Sequence, residues 1–236
     1  MKNKIAIVLC ITFLVTSCNH QKTLTADKII NNSIDTHGGW EQWESLNLFE
    51  YDKRFSLYDE DGNTEKSVHQ THSYKLKDRL QGAISWKDSV EHEVVFDNGS
   101  AYFIHDGERE KTTVKARDNF MSAYYVLNMP WKLKDKGTIK FYEGIKKLYT
   151  GQEVHSIQVE YPNEAHNDKW WYFFDTNDYK LVANMVHHVD YYSLILNHEF
   201  ATYQGLVWNS SRTSFRCDEH GQPTYKRAIY SYEYPK

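Results

Sequence analysis

Twelve histidines are the residues best suited to chemistry in this 236-residue chain. Imidazoles can bind a metal or move a proton near neutral pH, so their spacing decides what they can do. His69 and His72 are three apart, which in a strand sends them to opposite faces. His187 and His188 are adjacent and diverge for the same reason. His92-Glu93 and His198-Glu199 open like the helical zinc motif His-Glu-x-x-His, but Phe96 and Thr202 stand where the second histidine belongs. Both pairs also lie in sequence patterned as strand. A metal-dependent hydrolase would need several of His69, His92, His105 and His187 to converge; the alternative is histidines scattered over strand faces. No Gly-x-Ser-x-Gly elbow and no phosphate-cradling loop is present. Cys217 sits on a late strand and reads as a small buried hydrophobe. Asp59, Glu60 and Asp61 cluster at a turn and read as a solvated tip. The expectation is a protein with no catalytic residue, no metal and no cofactor, and not an enzyme.

The elements around these residues are mostly strands. The chain has 18 Tyr, 11 Phe and 7 Trp against only 4 Pro, and aromatic enrichment favours strands. Thr25 can cap a helix from Ala26 to His37, with Ile30, Ile34 and His37 on one face and Gly38 placed to end it. Trp40, Trp43 and Leu46 suggest one further helical turn. From Asn47 the period becomes two: Phe49, Tyr51, Phe55 and Leu57 share a face. Val68, His72, Tyr74 and Leu76 alternate next, then Leu80, Ile84 and Trp86. Asp61-Gly62, Asn98-Gly99 and Asp106-Gly107 are hairpin turns. Ala116 to Met129 breaks the rhythm, with Phe120, Tyr124 and Leu127 at helical spacing and Pro130 as a stop. Strands then resume to Tyr232. Short connections predict antiparallel pairing.

These patterns predict an α+β, mostly β domain. Its centre is a curled antiparallel sheet, a half-barrel of about eleven strands, because twist prevents so large a sheet from lying flat. The N-terminal helix and the one inserted helix are the expected cover for the concave face. Trp170, Tyr172 and Phe174 share one face of their strand and Trp171 and Phe173 the other. That strand is either a central element packed on both sides or one wall of an apolar cavity. The candidate ligand-lining set is Phe49, Tyr51, Phe55, Ile84, Trp86, Phe120, Tyr124, Trp170, Tyr172 and Phe174.

The N-terminus carries a different message. Lys2 and Lys4 precede an apolar run from Ile5 to Val15, too short for the ~20 residues of a membrane-spanning helix. Val15-Thr16-Ser17 then leads into Cys18. A basic start, an apolar run and small residues describe a secretory signal peptide, and with cysteine at the cut the pattern resembles the lipobox of bacterial lipoproteins. The resemblance implies a leader over residues 1–17, lipidation of Cys18, a tether over 18–24 and a domain over 25–236. Removal of Lys2 and Lys4 leaves 26 Lys+Arg against 32 Asp+Glu, a balance of about −6. That excludes the basic surface of a nucleic-acid binder and gives no polybasic reason to lie on anionic lipid. With Cys10 removed and Cys18 lipidated, Cys217 is the only thiol left, so no intramolecular disulfide forms.

Several local motifs resemble the LolA/LolB-like lipoprotein carrier and acceptor superfamily, in particular an uncharacterised lipoprotein branch found in Bacteroidota. They are Ala26-Asp27-Lys28-Ile29-Ile30 with His37-Gly38-Gly39-Trp40 and Trp43-Glu44-Ser45-Leu46. Tyr142-Glu143-Gly144 with Gly151-Gln152-Glu153 resembles the central hairpin. Trp170 to Asp175 with Tyr179-Lys180-Leu181, and Asn197-His198-Glu199-Phe200 with Gly205-Leu206-Val207-Trp208, resemble later strands. The resemblance implies a hydrophobic cavity between sheet and helices that holds acyl chains or other apolar ligands. A freely diffusing carrier is not lipid-anchored, so Cys18 points to an acceptor or resident role. Asp88-Ser89-Val90 resembles the O-glycosylation acceptor of exported Bacteroidota proteins, placing a sugar on Ser89. Asn19-His20-Gln21-Lys22 lacks the acidic run that marks surface export there. The expected protein is thus an envelope lipoprotein, anchored to the periplasmic face of the outer membrane and binding a lipid or other apolar molecule non-covalently. The alternative is a structural or protein-interaction module with a filled core.

Overall fold

The structure, a computed structural model, describes residues 24–110, 114–161 and 168–236. The leader, Cys18 and the tether as far as Thr23 lie outside the described residues. The first element is helix α1, Ala26–Thr36, opened by Thr25, whose hydroxyl accepts from the Lys28 amide at 3.2 Å. Ile29, Ile30 and Ile34 are fully buried along one side. At its end the Gly39 amide donates to Ile34 O (2.8 Å) and the Gly38 amide to Asp35 O (3.1 Å), the paired bonds of a Schellman motif. Gly38 takes φ +109°, and a Cβ there would stand 2.6 Å from Gly205 O, so both conformation and space demand glycine. The further turn after Gly39 is a six-residue helix, α2, Trp40–Ser45.

Six strands then step outward in order: β1 Leu48–Tyr58, β2 Thr64–Lys75, β3 Gln81–Lys87, β4 Glu91–Asp97, β5 Ser100–His105 and β6 Glu108–Arg109. Asn98 and Gly99 (φ 50° and 80°), like Asp106 and Gly107 (48° and 82°), both take positive φ, as type I′ hairpins require. From this edge helix α3, Val114–Leu127, and a 3-10 turn at Trp131–Lys134 carry the chain across the concave face. It re-enters at the opposite edge as β7, Ile139–Lys147. The return runs through β8 Glu153–Glu160, β9 Lys169–Asp175, β10 Leu181–His187, β11 Tyr192–Tyr203, β12 Leu206–Cys217 and β13 Pro223–Glu233. β13 closes the gap by pairing with β1, Asp52 opposite Glu233 and Leu57 opposite Ala228.

The result is one curled, unclosed sheet of 13 strands in the order β6-β5-β4-β3-β2-β1-β13-β12-β11-β10-β9-β8-β7, every neighbour antiparallel. The expected half-barrel and its helical cover are present. The strand count exceeds the expected eleven; one of the thirteen, β6, is two residues long and too short to leave an alternating pattern. The main core lies on the concave side, between the sheet and α1, α3 and the 3-10 turn. A second apolar cluster occupies the other face: Val154, Phe173, Ala183, Met185, Leu194 and Leu196. This explains why β9 is apolar on both sides. Its odd residues pack among neighbouring strands rather than under a helix.

Candidate functional site

The concave face has two halves of different character. Near α1 and α2 it is filled with rings. Trp131 stacks on Trp43 (5.2 Å between centroids), Phe49 on Trp208 (4.2 Å), and Trp131 meets Trp208 at 5.2 Å. His37 pins this half to the late strands. Its Nδ1–H donates to Val207 O (2.7 Å) and its Nε2 accepts from the Leu181 amide (3.3 Å). Burial lowers its pKa to about 4, which keeps the ring neutral, as that bonding pattern needs. His37 is therefore a structural pin.

Next along β1 comes a polar partition. His72 Nδ1 lies 2.9 Å from the hydroxyls of both Tyr51 and Tyr74, which are 3.3 Å from each other; its one lone pair accepts from one of them, while its Nε2–H donates to Gln70 Oε1 at 3.3 Å. Burial, reinforced by the nearby Lys53 charge, pushes the His72 pKa far down, to about 2, so this ring too is neutral. Burial raises both tyrosines.

Beyond the partition the face is open. A cavity of about 560 Å³ lies between the concave strands and α3, which contributes Asn119, Ser122, Ala123, Val126 and Leu127. Its apolar walls include Phe55, Leu57, Ile84, Trp86, Val94 and Trp170. The volume falls within the ~300–1,000 Å³ typical of small-molecule sites. Lys53, Arg212, Arg216 and Arg227 also line it, and no Asp or Glu does among the described residues.

Of the ten candidate lining residues, Tyr51, Phe55, Ile84, Trp86 and Trp170 border this cavity. The other five belong to the solid core. Phe49 is stacked on Trp208, and Phe120 lies between Phe96 (4.8 Å) and Tyr74 (5.2 Å). Phe174 is fully buried, Tyr172 opens only on a 20 Å³ recess, and Tyr124 covers Tyr74 at 5.6 Å. The four cations were absent from the sequence-based set. Lys53 had a visible signal, since it falls in phase with Tyr51 and Phe55 on the apolar face.

Of His69, His92, His105 and His187, two come together. His92 and His105 meet across β4 and β5 (Nδ1 to Nδ1 2.6 Å), flanked by Asp88 and Glu110 at 3.0 Å each. His69 pairs with Asp52 at 3.2 Å, and His187 stacks on Tyr192. Among the described residues, no three His, Cys, Asp or Glu side chains form a group that could hold a metal. Cys217 is buried and its thiol pushed up to about 11, chiefly by burial, which disfavours the thiolate. Ser89 is exposed on the turn between β3 and β4. Among the described residues no helix is long and apolar enough to cross a membrane.

No protein-family model matches the sequence, and no curated protein matches it. Solved structures do match. A DUF1329 family protein from Desulfovibrio piger superposes with a TM-score of 0.60 at 8% identity, covering 89% of this chain and 92% of that one. An outer membrane lipoprotein-sorting protein domain from Vibrio parahaemolyticus superposes at 0.57 with 9% identity and the same two coverages. At such identities the likeness is one of fold. It extends over almost all of both chains and is consistent with the LolA/LolB-like architecture that the local motifs resemble.

Proposed function

We propose that this protein is an envelope lipoprotein that holds a lipid or other apolar molecule non-covalently in the cavity beneath α3 and catalyses no reaction. The observation that carries this reading is the half-filled concave face. A sheet of 13 strands has been covered at one end and left open at the other, with apolar walls around about 560 Å³. Such a space in water is unfavourable unless something apolar occupies it. The likeness in fold to a lipoprotein-sorting domain supports the same reading. Within that fold we place the chain in the Bacteroidota lipoprotein branch its motifs resemble. The leader over 1–17, the anchor at Cys18, the tether to residue 24 and the location on the periplasmic face of the outer membrane complete the proposal.

Native mass spectrometry of the protein purified from a lipid-containing host without detergent tests it. Extra mass released as lipid on denaturation is the expected result. A bare polypeptide mass, unchanged after incubation with envelope lipids, overturns it. Radiolabelled palmitate incorporated by the native chain and lost in Cys18→Ser tests the anchor. A second reading, a protein-interaction module, is favoured by one feature: edge strand β7 exposes Ile139, Phe141 and Ile145, and an open apolar edge is a template for a partner.

A further inference from the structure

The charge around the cavity is one-sided. The whole chain carries more acid than base, 32 Asp+Glu against 28 Lys+Arg. The cavity reverses that balance, with four cations on its walls and no carboxylate among the described residues. Arg227 is neutralised outside it by Glu65. Arg216 donates to Ser193 Oγ (2.6 Å) and lies over the Tyr191 ring, with no acid in contact among the described residues.

Lys53 and Arg212 are the two to explain. Arg212 is only 5% exposed. One of its terminal nitrogens reaches Asn184 Oδ1 at a long 3.4 Å, and its Nε has no partner among the described residues. Lys53 has no ion pair among the described residues; its Nζ lies over the rings of Phe55 (4.8 Å) and Tyr230 (5.4 Å). Register places them together. Lys53 stands opposite Tyr232 on β13, and Arg212 stands opposite Tyr230, two residues along the same face of that strand. Arg212 is buried and Lys53 half-buried; cations so placed without a counter-ion cost stability, and proteins usually pair them. Burial, followed by repulsion from Arg212, lowers the Lys53 pKa to about 8. Two like charges held together in an apolar recess describe a site whose anion comes from outside.

We propose that the cavity takes an amphiphile with an anionic head, carboxylate or phosphate, seated between Lys53 and Arg212, with its hydrocarbon against Phe55, Trp86 and Trp170. The inference rests on the cavity's being a ligand site and adds the chemistry of its occupant. The head supplies the missing counter-charge through charge-assisted hydrogen bonds. The apolar walls supply the non-directional part of the affinity.

The test is a fluorescence titration of the full-length protein with cis-parinarate and with its methyl ester, which share a chain and differ in charge. The acid is expected to bind roughly tenfold or more tightly than the ester. Lys53→Met and Arg212→Met are expected to weaken the acid by a similar factor, leave the ester unchanged, and melt no lower than the native protein. Replacing an unpaired buried charge by an apolar group of similar length relieves a cost. Displacement of the bound acid by oleate, by oleoyl lysophosphatidate or by both assigns the head as carboxylate, phosphate or either. Equal binding of acid and ester by the native protein overturns the inference and leaves the apolar cavity standing. Failure of both probes to bind overturns the cavity reading itself. The acid-to-ester comparison needs no variant, so a variant that fails to fold does not blunt it.

Discussion

The two halves of the concave face are built from the same strands, yet one is solid and the other hollow. β1 runs through both. Phe49 is fully buried against Trp208, whereas Phe55 and Leu57, in the same phase of the same strand, face the cavity. The strands are 11 or 12 residues long at the centre of the sheet, and α1 with α2 covers only one end of them. Where cover is complete, rings interlock and His37 is a pin. Where cover thins to α3 alone, the same sheet carries Lys53 and Arg212, which pair with no acid among the described residues. Stability is therefore concentrated in one half and binding capacity in the other.

The largest effect should come from breaking the solid half. Phe49→Ala should lower stability by about 3–5 kcal/mol, as expected for a large ring removed from a packed core, read as the shift in urea midpoint. Titration of the pin comes next. The folded pKa of His37 is about 4 against an ordinary 6.5, so as the pH falls through that window the unfolded chain takes up a proton that the folded chain refuses. Stability should fall with pH between about 6.5 and 4, by up to roughly 3 kcal/mol from this ring; His72, held neutral in the same way, adds to the slope. Urea midpoints at several pH values check it, and His37→Asn should flatten the profile.

In the hollow half the order of effects reverses. Val126→Trp, on the cavity wall of α3, should weaken probe binding by narrowing the cavity while changing stability by about 1 kcal/mol or less. Leu57→Ala should be the mildest for the fold, well under about 1 kcal/mol, because this half-buried side chain leaves no sealed void. It should still weaken a bound acyl chain measurably. A Leu57 variant as destabilised as the Phe49 variant would erase the distinction between the halves.

The sequence revealed local features and hid distant ones. Thr25, Gly38 and the Asn-Gly and Asp-Gly turns each act over a few residues, so α1 and the hairpins were legible. The pairing of β1 with β13 joins Asp52 to Glu233 and leaves no local mark; strand order was invisible for that reason. The candidate lining residues show the same limit. Phe49 and Phe55 have the same chemistry and the same phase, and only the end of the helical cover divides them. The histidine pair at 92 and 105 depended on cross-strand register in the same way. Lys53 was readable as a charge on an apolar face. Arg212 was not, because its burial depends on α3 crossing from one edge of the sheet to the other.

The place of β13 has a consequence for how the chain is made. The last strand fills the middle of the sheet, between β1 and β12. Until it arrives, β1–β6 and β7–β12 are two sheets with raw edges facing each other, joined by α3 alone. During synthesis or export the protein stays in that divided state until β13 emerges, and long-range closure of this kind is slow. A nonsense codon or a protease that removes only Pro223–Glu233 would produce two half-sheets, each with a long unpaired edge open to aggregation.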